Sequence, residues 1–555
     1  MNDFLKKHHR LVFYSCWLLL SVMQAGLTEL WDDEAYYWIF GQYLDWGYFD
    51  HPPMTGLLVK MGYSIFPNEL GVRLWPLLLT TFSLMIIEKL IDKKNPFLFY
   101  GIALSMAALQ IAGFLAVPDM PLIFFTAVFF LFYKRFLQNR SWLNTLLLGV
   151  GVALLLYSKY HAVLIVFFTL ISNWKLFTRY QTYIAGFIAL LLFAPHLYWQ
   201  YQHDWVSFKY HLFESNVNPY KFAYTTEYII GQLLLPGPIA GFILLPAAFL
   251  YRSKTQLERA LKFTLVGIYA FFLLSSFRGR VEGNWTSPVF ISLLVLSHNF
   301  LLEKSNWQRW LYRTLPFTLV LVLFARIVMI VDIVPLKVVK EKFHSWKNWP
   351  AEMKERTKGL PVVFNSSYQR ASKYWFYSGQ MAYSQNSYQK RKNNFNFWPI
   401  EDSLLGKPVY YIDYYNPAVF PDSLSTSIGL LGYTYDPGFM SFGKVTAEFG
   451  SRKIKIKEGK EFQLQCIFSA TDQYKTFIQS HELNDTMRIG IFAKDGKWQK
   501  DIPLPWKLKE VMDGRKMDTL LNPAMGKGHY FMRLGISSGA YPPTHNSEKI
   551  ELLID

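Results

Sequence analysis

Residues 11–53 read LVFYSCWLLLSVMQAGLTELWDDEAYYWIFGQYLDWGYFDHPP, and the junction inside them decides the architecture. The first half is apolar for about 20 residues, the length a helix needs to cross a hydrocarbon core at about 1.5 Å per residue. Lys6, Lys7 and Arg10 precede it, and Asp32, Asp33 and Glu34 follow it directly. No small-x-small cleavage site closes the run, so it reads as a retained anchor, not a removable leader.

Working outward, further apolar runs centre on residues 71–91, 97–116, 120–137, 142–158, 161–177, 180–199, 228–250, 261–277, 286–302 and 314–334. With residues 11–30 they predict about eleven transmembrane helices. Alternate connections carry the basic residues: Lys6, Lys7 and Arg10; Lys93 and Lys94; Lys134, Arg135 and Arg140; Lys175 and Arg179; Arg252, Lys254, Arg259 and Lys262; Lys304, Arg309 and Arg313. Positive loops stay cytoplasmic. The N-terminus is therefore expected in the cytoplasm of a multi-pass inner (plasma) membrane protein. The odd helix count puts the polar region after residue 334 on the exoplasmic, periplasmic side.

Composition agrees. Of 555 residues, 52% are apolar, 18% aromatic and only 17% charged, which excludes a disordered chain, a coiled coil and a disulfide mini-scaffold. The net charge of +17 falls in clusters between apolar runs and forms no single stripe, so no nucleic-acid partner is expected. Cys16 and Cys466 lie in the first span and the polar tail, and no disulfide is expected.

The exoplasmic connections hold the unusual chemistry. After the acids, residues 35–46 are rich in aromatics (Tyr36, Tyr37, Trp38, Phe40, Tyr43, Trp46) and read as a helix lying in the membrane interface. A turn, Tyr48-Phe49-Asp50-His51-Pro52-Pro53, leads to a second interfacial stretch at 54–66. Acids flanking a span can be mere topology markers, yet three in a row at a membrane surface repel one another and suit a general base or a metal site. Asp119 sits in the turn VPDMP at 117–121, where it could equally cap a helix. Lys159 and His161 end the fifth span in SKYH, where a lysine commonly snorkels to the interface. Arg278 and Arg280, with Asn284 close by, occupy a loop on the side that should avoid positive charge. Arginine binds phosphate through a planar fork of donors. Carboxylates beside cations on one membrane face fit group transfer from a phosphorylated donor. No G-x-G-x-x-G turn or P-loop offers a nucleotide site, so the donor is expected to be a lipid phosphate.

An acidic pair after the first helix, the YFDHPP turn and the x-P-D-x-P-L turn resemble, in that order, the C-type (GT-C) glycosyltransferases of the protein O-mannosyltransferase superfamily. The closest likeness is to its bacterial branch, which includes the lipid A aminoarabinose transferase. LLLYSKYHAVLIV at 154–166 and PHLYWQYQHDWVSF at 195–208 add to it. The resemblance implies that Asp33 deprotonates the acceptor, which attacks a polyprenyl-phosphate sugar with inversion. It puts Glu34 beside that base, Asp119 in the active site, and Asp50 and His51 at the substrate. Where the aminoarabinose branch carries lysine before the two prolines, this chain has His51, which shifts phosphate binding towards Lys159, Arg278 and Arg280. Asp32 is an extra acid, and the choice between Asp32 and Asp33 rests on alignment alone. No cofactor is assigned. A divalent metal stays open, with Asp32, Asp33, Asp50 and His51 as candidate ligands.

Residues 335–440 read as an exoplasmic linker and a small α/β unit (PVVF, then a helix, then KPVYYIDYY). Residues 441–555 alternate in short runs (KIKIK, FQLQCIF, MRIGIFA, YFMRLGI, KIELLI) and predict a β-sandwich-like module. A packing or lid role is expected for it, and a carbohydrate-binding surface of Tyr and Trp is the alternative. The function expected for residues 1–334 is a glycosyltransferase taking its sugar from a polyprenyl-phosphate donor, with a lipid, glycan or protein acceptor and the surrounding membrane lipids as partners. The competing reading is a transporter or flippase of a lipid-linked sugar. Transporters place charges at mid-bilayer and often show repeats; neither feature is evident here.

Overall fold

A computed structural model of the chain describes residues 3–215 and 219–555. Residues 216–218, part of the 200–227 connection, lie outside the described residues. The chain forms two compact units, Met1–His344 and Ser345–Asp555.

The first unit is helical. Its first four helices are α1 (Asp3–Leu27), α2 (Asp32–Gln42), α3 (Met54–Tyr63) and α4 (Glu69–Leu90). Then come α5 (Pro96–Ser105), α6 (Ala107–Ala112), α7 (Asp119–Gln138), α8 (Trp142–Ser158), α9 (Ala162–Ser172) and α10 (Tyr180–Gln202). The set closes with α11 (Val206–Lys209), α12 (Phe222–Leu234), α13 (Gly241–Leu250), α14 (Gln256–Ser275), α15 (Val289–Glu303), α16 (Ser305–Ile330) and α17 (Lys337–Phe343). Among the described residues, five of these helices are long and apolar enough to cross a membrane: Lys7–Leu27, Glu69–Leu90, Asp119–Gln138, Tyr180–Gln202 and Ser305–Ile330. Starts follow local chemistry: Asn68, Asn95 and Ser141 each accept from a backbone N–H three residues on. Thr255 and Glu258 form a reciprocal capping box.

Two runs expected as single spans are broken where they touch each other, and a third, 161–177, ends its α-helix at Ser172. Residues 97–116 divide into α5 and α6 at Met106, whose ψ of 86° leaves the helix. Residues 228–250 divide into α12 and α13 around Pro236 and Gly237. The breaks meet: the Ala107 N–H donates to the Pro236 carbonyl at 3.0 Å. Gly237 has φ +151°, and a Cβ there would stand 2.4 Å from the Ser105 carbonyl, so glycine is required. Each break thus supplies a partner for backbone groups that lipid could not satisfy.

The helix expected over 35–46 starts at Asp32 and ends at Gln42, and it does not lie on a surface. Tyr36, Tyr37, Trp38 and Phe40 are all buried. Its neighbour α3 comes close because position 56 is glycine; a Cβ there would be 2.8 Å from that of Phe40. The aromatics count towards packing between α2 and α3. In the stretch 54–66, Leu57, Met61, Ile65 and Phe66 remain exposed, as an interfacial segment would leave them.

The second unit begins with helix α18 (Trp349–Arg356), then β1 (Val362–Asn365), α19 (Tyr368–Ser378), β2 (Ala382–Gln385), α20 (Ile400–Leu404), β3 (Val409–Asp413), β4 (Asp422–Thr426) and β5 (Gly429–Asp436). These strands form one sheet in the order β2-β1-β3-β5-β4, with β1 parallel to both neighbours. A sandwich follows, built from β6 (Thr446–Phe449), β7 (Lys453–Ile456), β8 (Phe462–Ser469), β9 (Asp485–Ala493), β10 (Trp498–Pro503), β11 (Lys516–Leu521), β12 (Gly528–Ser538) and β13 (Ile550–Ile554). Its sheets, β10-β9-β12-β13-β7 and β11-β8-β6, share a core that includes Leu464, Phe468, Ile489, Ile491, Leu534 and Leu552. Alternation along β8, buried at every second residue, is what a half-covered sheet demands. Cys16 and Cys466 are both free thiols.

Candidate functional site

The three acids after α1 sit in the first turn of α2, where the positive end of the helix dipole favours negative charge. They then part company. Asp32 Oδ2 lies 3.6 Å from Lys342 Nζ, whose ammonium also stands over the Trp31 ring. Asp33 is half-buried between its two acidic neighbours. Glu34 is wholly buried against Arg73, also wholly buried. Arg73 Nε and Nη2 donate to the two Glu34 oxygens at 2.8 and 2.5 Å. Its remaining donors reach the carbonyls of Ala25, Thr28 and Glu29 at the end of α1. Glu34 also accepts from the backbone N–H groups of Trp31 and Ala116. This pair fastens α1, α2, α4 and the approach to the 117–121 turn together, and its donors and acceptors are used up.

Asp119 opens α7 without capping it; no side-chain cap bond forms there. Its carboxylate accepts from Lys159 Nζ at 2.9 Å, Ser287 Oγ at 2.7 Å and Asn284 Nδ2 at 2.9 Å. Lys159 is 5% exposed, so it turns inward and does not snorkel. Among the described residues Asp119 is its one hydrogen-bond partner, so two of its three N–H bonds are unengaged.

The 43–53 loop brings further groups to this hub. The Tyr48 N–H donates to the His51 carbonyl at 3.0 Å, closing the turn, and the His51 ring meets Tyr37 edge-on at 5.6 Å. His51 Nδ1 is buried with no hydrogen-bond partner. Burial lowers the His51 imidazole to about 4; Asp50 and Asp119 oppose that, while Lys159 and His211 reinforce it. At neutral pH His51 is therefore uncharged, which leaves Lys159 as the cation of this group. His211 Nε2 donates to the Asp50 carbonyl at 2.9 Å, and Asp50 itself is buried. His196 Nδ1 donates to the Trp46 carbonyl at 2.7 Å, so its Nε2 accepts from the Tyr160 hydroxyl at 3.2 Å. Gln200 links Tyr160 to Ser207, whose hydroxyl donates to the Tyr48 carbonyl. His161 packs against Phe272 and Trp285 with its Nδ1 buried and unpartnered.

The structure thus joins Asp119, Lys159 and Asn284 directly and sets Asp50 and His51 within electrostatic reach of them. It does not join the two arginines to this group. Arg278 is exposed, and Arg280 makes exposed ion pairs with Glu227 at 3.5 Å and Glu282 at 4.0 Å. Among the described residues no three His, Cys, Asp or Glu side chains converge on a metal position, so Asp32, Asp33, Asp50 and His51 do not form one ligand set. Sequence reading missed Ser287, His211 and Arg73. Ser287 lies just three residues beyond Asn284, so extending the 278–285 loop would have reached it. Arg73 sits at the edge of an apolar run and reads there as a flanking charge.

A family model described as dolichyl-phosphate-mannose-protein mannosyltransferase matches residues 50–199, the stretch carrying Asp50, His51, Asp119, Lys159 and His161. The chain is 23% identical over 302 residues to the lipid A galacturonosyltransferase RgtD of Rhizobium johnstonii, covering 51% of this chain and 63% of that one. It is 25% identical over 266 residues to an uncharacterized protein of Aquifex aeolicus, covering 46% of this chain and 53% of the relative. The matches thus span less than two thirds of these curated relatives. Its fold is similar to that of ArnT from Cupriavidus metallidurans, whose crystal structure was solved bound to undecaprenyl phosphate. That likeness has a TM-score of 0.55 at 13% identity and covers 76% of this chain and 97% of ArnT. These findings bear out the resemblance seen in the motifs: the fold is similar to that of ArnT, and the stretch carrying Asp50, His51, Asp119 and Lys159 matches the mannosyltransferase family model.

Proposed function

We propose that this protein transfers a sugar from a polyprenyl-phosphate-linked donor to an acceptor hydroxyl, with inversion, at the exoplasmic face of the inner membrane. About eleven helices cross the bilayer in this reading, with the N-terminus cytoplasmic and the second unit periplasmic. The acceptor is a glycolipid of the lipid A class, by analogy with the substrate named for the galacturonosyltransferase relative. The observation that carries the proposal is the buried Lys159, held by Asp119 with two N–H bonds to offer.

Asp33 takes the proton from the acceptor hydroxyl as its oxygen attacks the anomeric carbon. The bond from that carbon to the phosphate oxygen breaks, and its electron pair leaves with the polyprenyl phosphate. A single displacement of this kind inverts the anomeric configuration. Lys159 stabilises the charge that grows on the departing phosphate, in a site where burial strengthens each such interaction. Asp119, Asn284 and Ser287 hold Lys159 in place, and neutral His51 contacts the donor through a hydrogen bond. We assign Glu34 a positioning role, because Arg73 and two backbone N–H groups occupy its carboxylate.

The test is mass spectrometry of envelope glycolipids from cells carrying wild type, Asp33→Asn or no protein. One acceptor class should lose a single sugar mass in the null strain and in Asp33→Asn. An Asp33→Asn strain with a full complement of the modified lipid contradicts the assigned base. Spectra unchanged in the null strain contradict the enzyme and leave the transporter reading.

A further inference from the structure

α1 and α4 are two of the helices long and apolar enough to cross a membrane. Arg10 meets Glu88 at one end of the pair and Arg73 meets the Ala25 carbonyl towards the other, so the two run antiparallel. Between them lies a groove of about 680 Å³. Its walls are apolar along Leu18, Leu78, Phe82 and Met85, while its cations, Arg10, Lys89 and Lys94, gather at one end. Arg10 to Leu18 is about 12 Å of helix, and Leu78 to Lys89 about 16 Å. One leaflet supplies half of a hydrocarbon core of about 30 Å. The groove is therefore as deep as one leaflet, and its positive end lies at the level of the head groups.

That end is prepared for an anion. Arg10 Nε donates to Glu88 Oε1 at 2.8 Å, and the Tyr14 hydroxyl donates to Glu88 Oε2 at 2.8 Å. The Glu88 side chain is only 7% exposed, whereas that of Arg10 is 52% exposed. Among the described residues, the two terminal nitrogens of Arg10 have no hydrogen-bond partner. The same holds for the ammonium groups of Lys89 and Lys94, both exposed. One carboxylate against three cations leaves a surplus of positive charge at this mouth. A guanidinium held at Nε keeps its outer fork for a phosphate.

Basic pockets between transmembrane helices take the head groups of anionic lipids. We propose that this groove binds an anionic diacyl phospholipid, with its phosphate on Arg10, Lys89 and Lys94 and an acyl chain along Leu78, Phe82 and Met85. A polyprenyl chain would outrun a groove one leaflet deep. The site shares no residue with the Asp119–Lys159 group and does not depend on the transfer reaction.

The test is native mass spectrometry of the full chain in a non-ionic detergent. It is titrated with dioleoylphosphatidylglycerol or with dioleoylphosphatidylcholine, which has the same chains and no net charge. Wild type should retain the anionic lipid saturably and the zwitterionic one far less. Arg10→Gln should weaken retention about tenfold, the scale of one lost hydrogen bond to a charged group. That variant also strands Glu88, so Lys89→Gln and Lys94→Gln, at exposed positions, decide the matter if it does not fold; each should weaken retention about fivefold. Ser15 is an exposed small residue lining the groove, and Ser15→Trp should block the chain and lower retention with every cation in place. Lys159→Gln should leave retention unchanged. Equal retention of the two phospholipids, wild-type retention by both lysine variants or by Ser15→Trp, or loss in Lys159→Gln overturns the proposal. Displacement of the phospholipid by an equal concentration of undecaprenyl phosphate also overturns it and assigns the groove to a polyprenyl lipid.

Discussion

Among the described residues of the first unit stand two buried ion pairs, Glu34–Arg73 and Asp119–Lys159, and they differ in how completely they are used. In Glu34–Arg73, every guanidinium nitrogen has an acceptor and both carboxylate oxygens have a second donor. In Asp119–Lys159, the carboxylate is held three times over while the ammonium spends one N–H. A saturated pair can only hold structure. A pair with unspent donors on its cation, on a membrane face rich in acids and histidines, is equipped to meet an anion. Burial alone does not separate them.

Variants can break this contrast. The largest expected effect is on chemistry: Lys159→Met should lower transfer by about 100-fold or more, the usual scale for removing a preorganised charge stabiliser. Steady-state kinetics on purified protein would read it, and Lys159→Arg should recover part of the rate. Next comes stability. Arg73→Met strands the Glu34 charge and should cost about 3–5 kcal/mol, as breaking one side of a buried pair does. Thermal unfolding would show the loss, and the double variant Glu34→Leu with Arg73→Met should recover much of it. If the single variant is as stable as wild type, the pair is no strut.

A smaller effect concerns pH. The His51 imidazole titrates at about 4 in the folded protein, down from 6.5. The unfolded chain therefore binds more protons between those values, and folding stability should fall as pH drops from 6.5 towards 4. Melting temperature measured across that window should decline for wild type and decline less for His51→Gln. The smallest effect is expected at the exposed Arg280: Arg280→Ala should change neither stability nor transfer measurably, since exposed pairs contribute little. A large loss of transfer there would return the phosphate role to that loop.

The sequence made the helices legible because each must hide its own backbone from lipid over a fixed length, which writes an apolar run into the chain. It concealed the two breaks, at Met106 and Gly237, because a break satisfied by another break leaves the run apolar throughout. The motif acids were legible as chemistry, but their roles were not. Glu34 looks like Asp33 in the chain, and only Arg73, 39 positions on, tells them apart. Lys159 next to a span end reads as a snorkelling residue until Asp119 is seen opposite it. In the second unit, alternation in β8 and β9 was plain, whereas cation–tyrosine pairs near the ends of β1 and β3 come from the first turn of α19 and two separate loops and have no local pattern.

In the proposed reaction the unspent donors of Lys159 hold a lipid phosphate. Native mass spectrometry of the purified protein with undecaprenyl phosphate tests it directly, comparing wild type with Lys159→Gln at matched thermal stability. Wild type should retain the lipid, and Lys159→Gln should retain far less of it. Equal retention by the two proteins would contradict it.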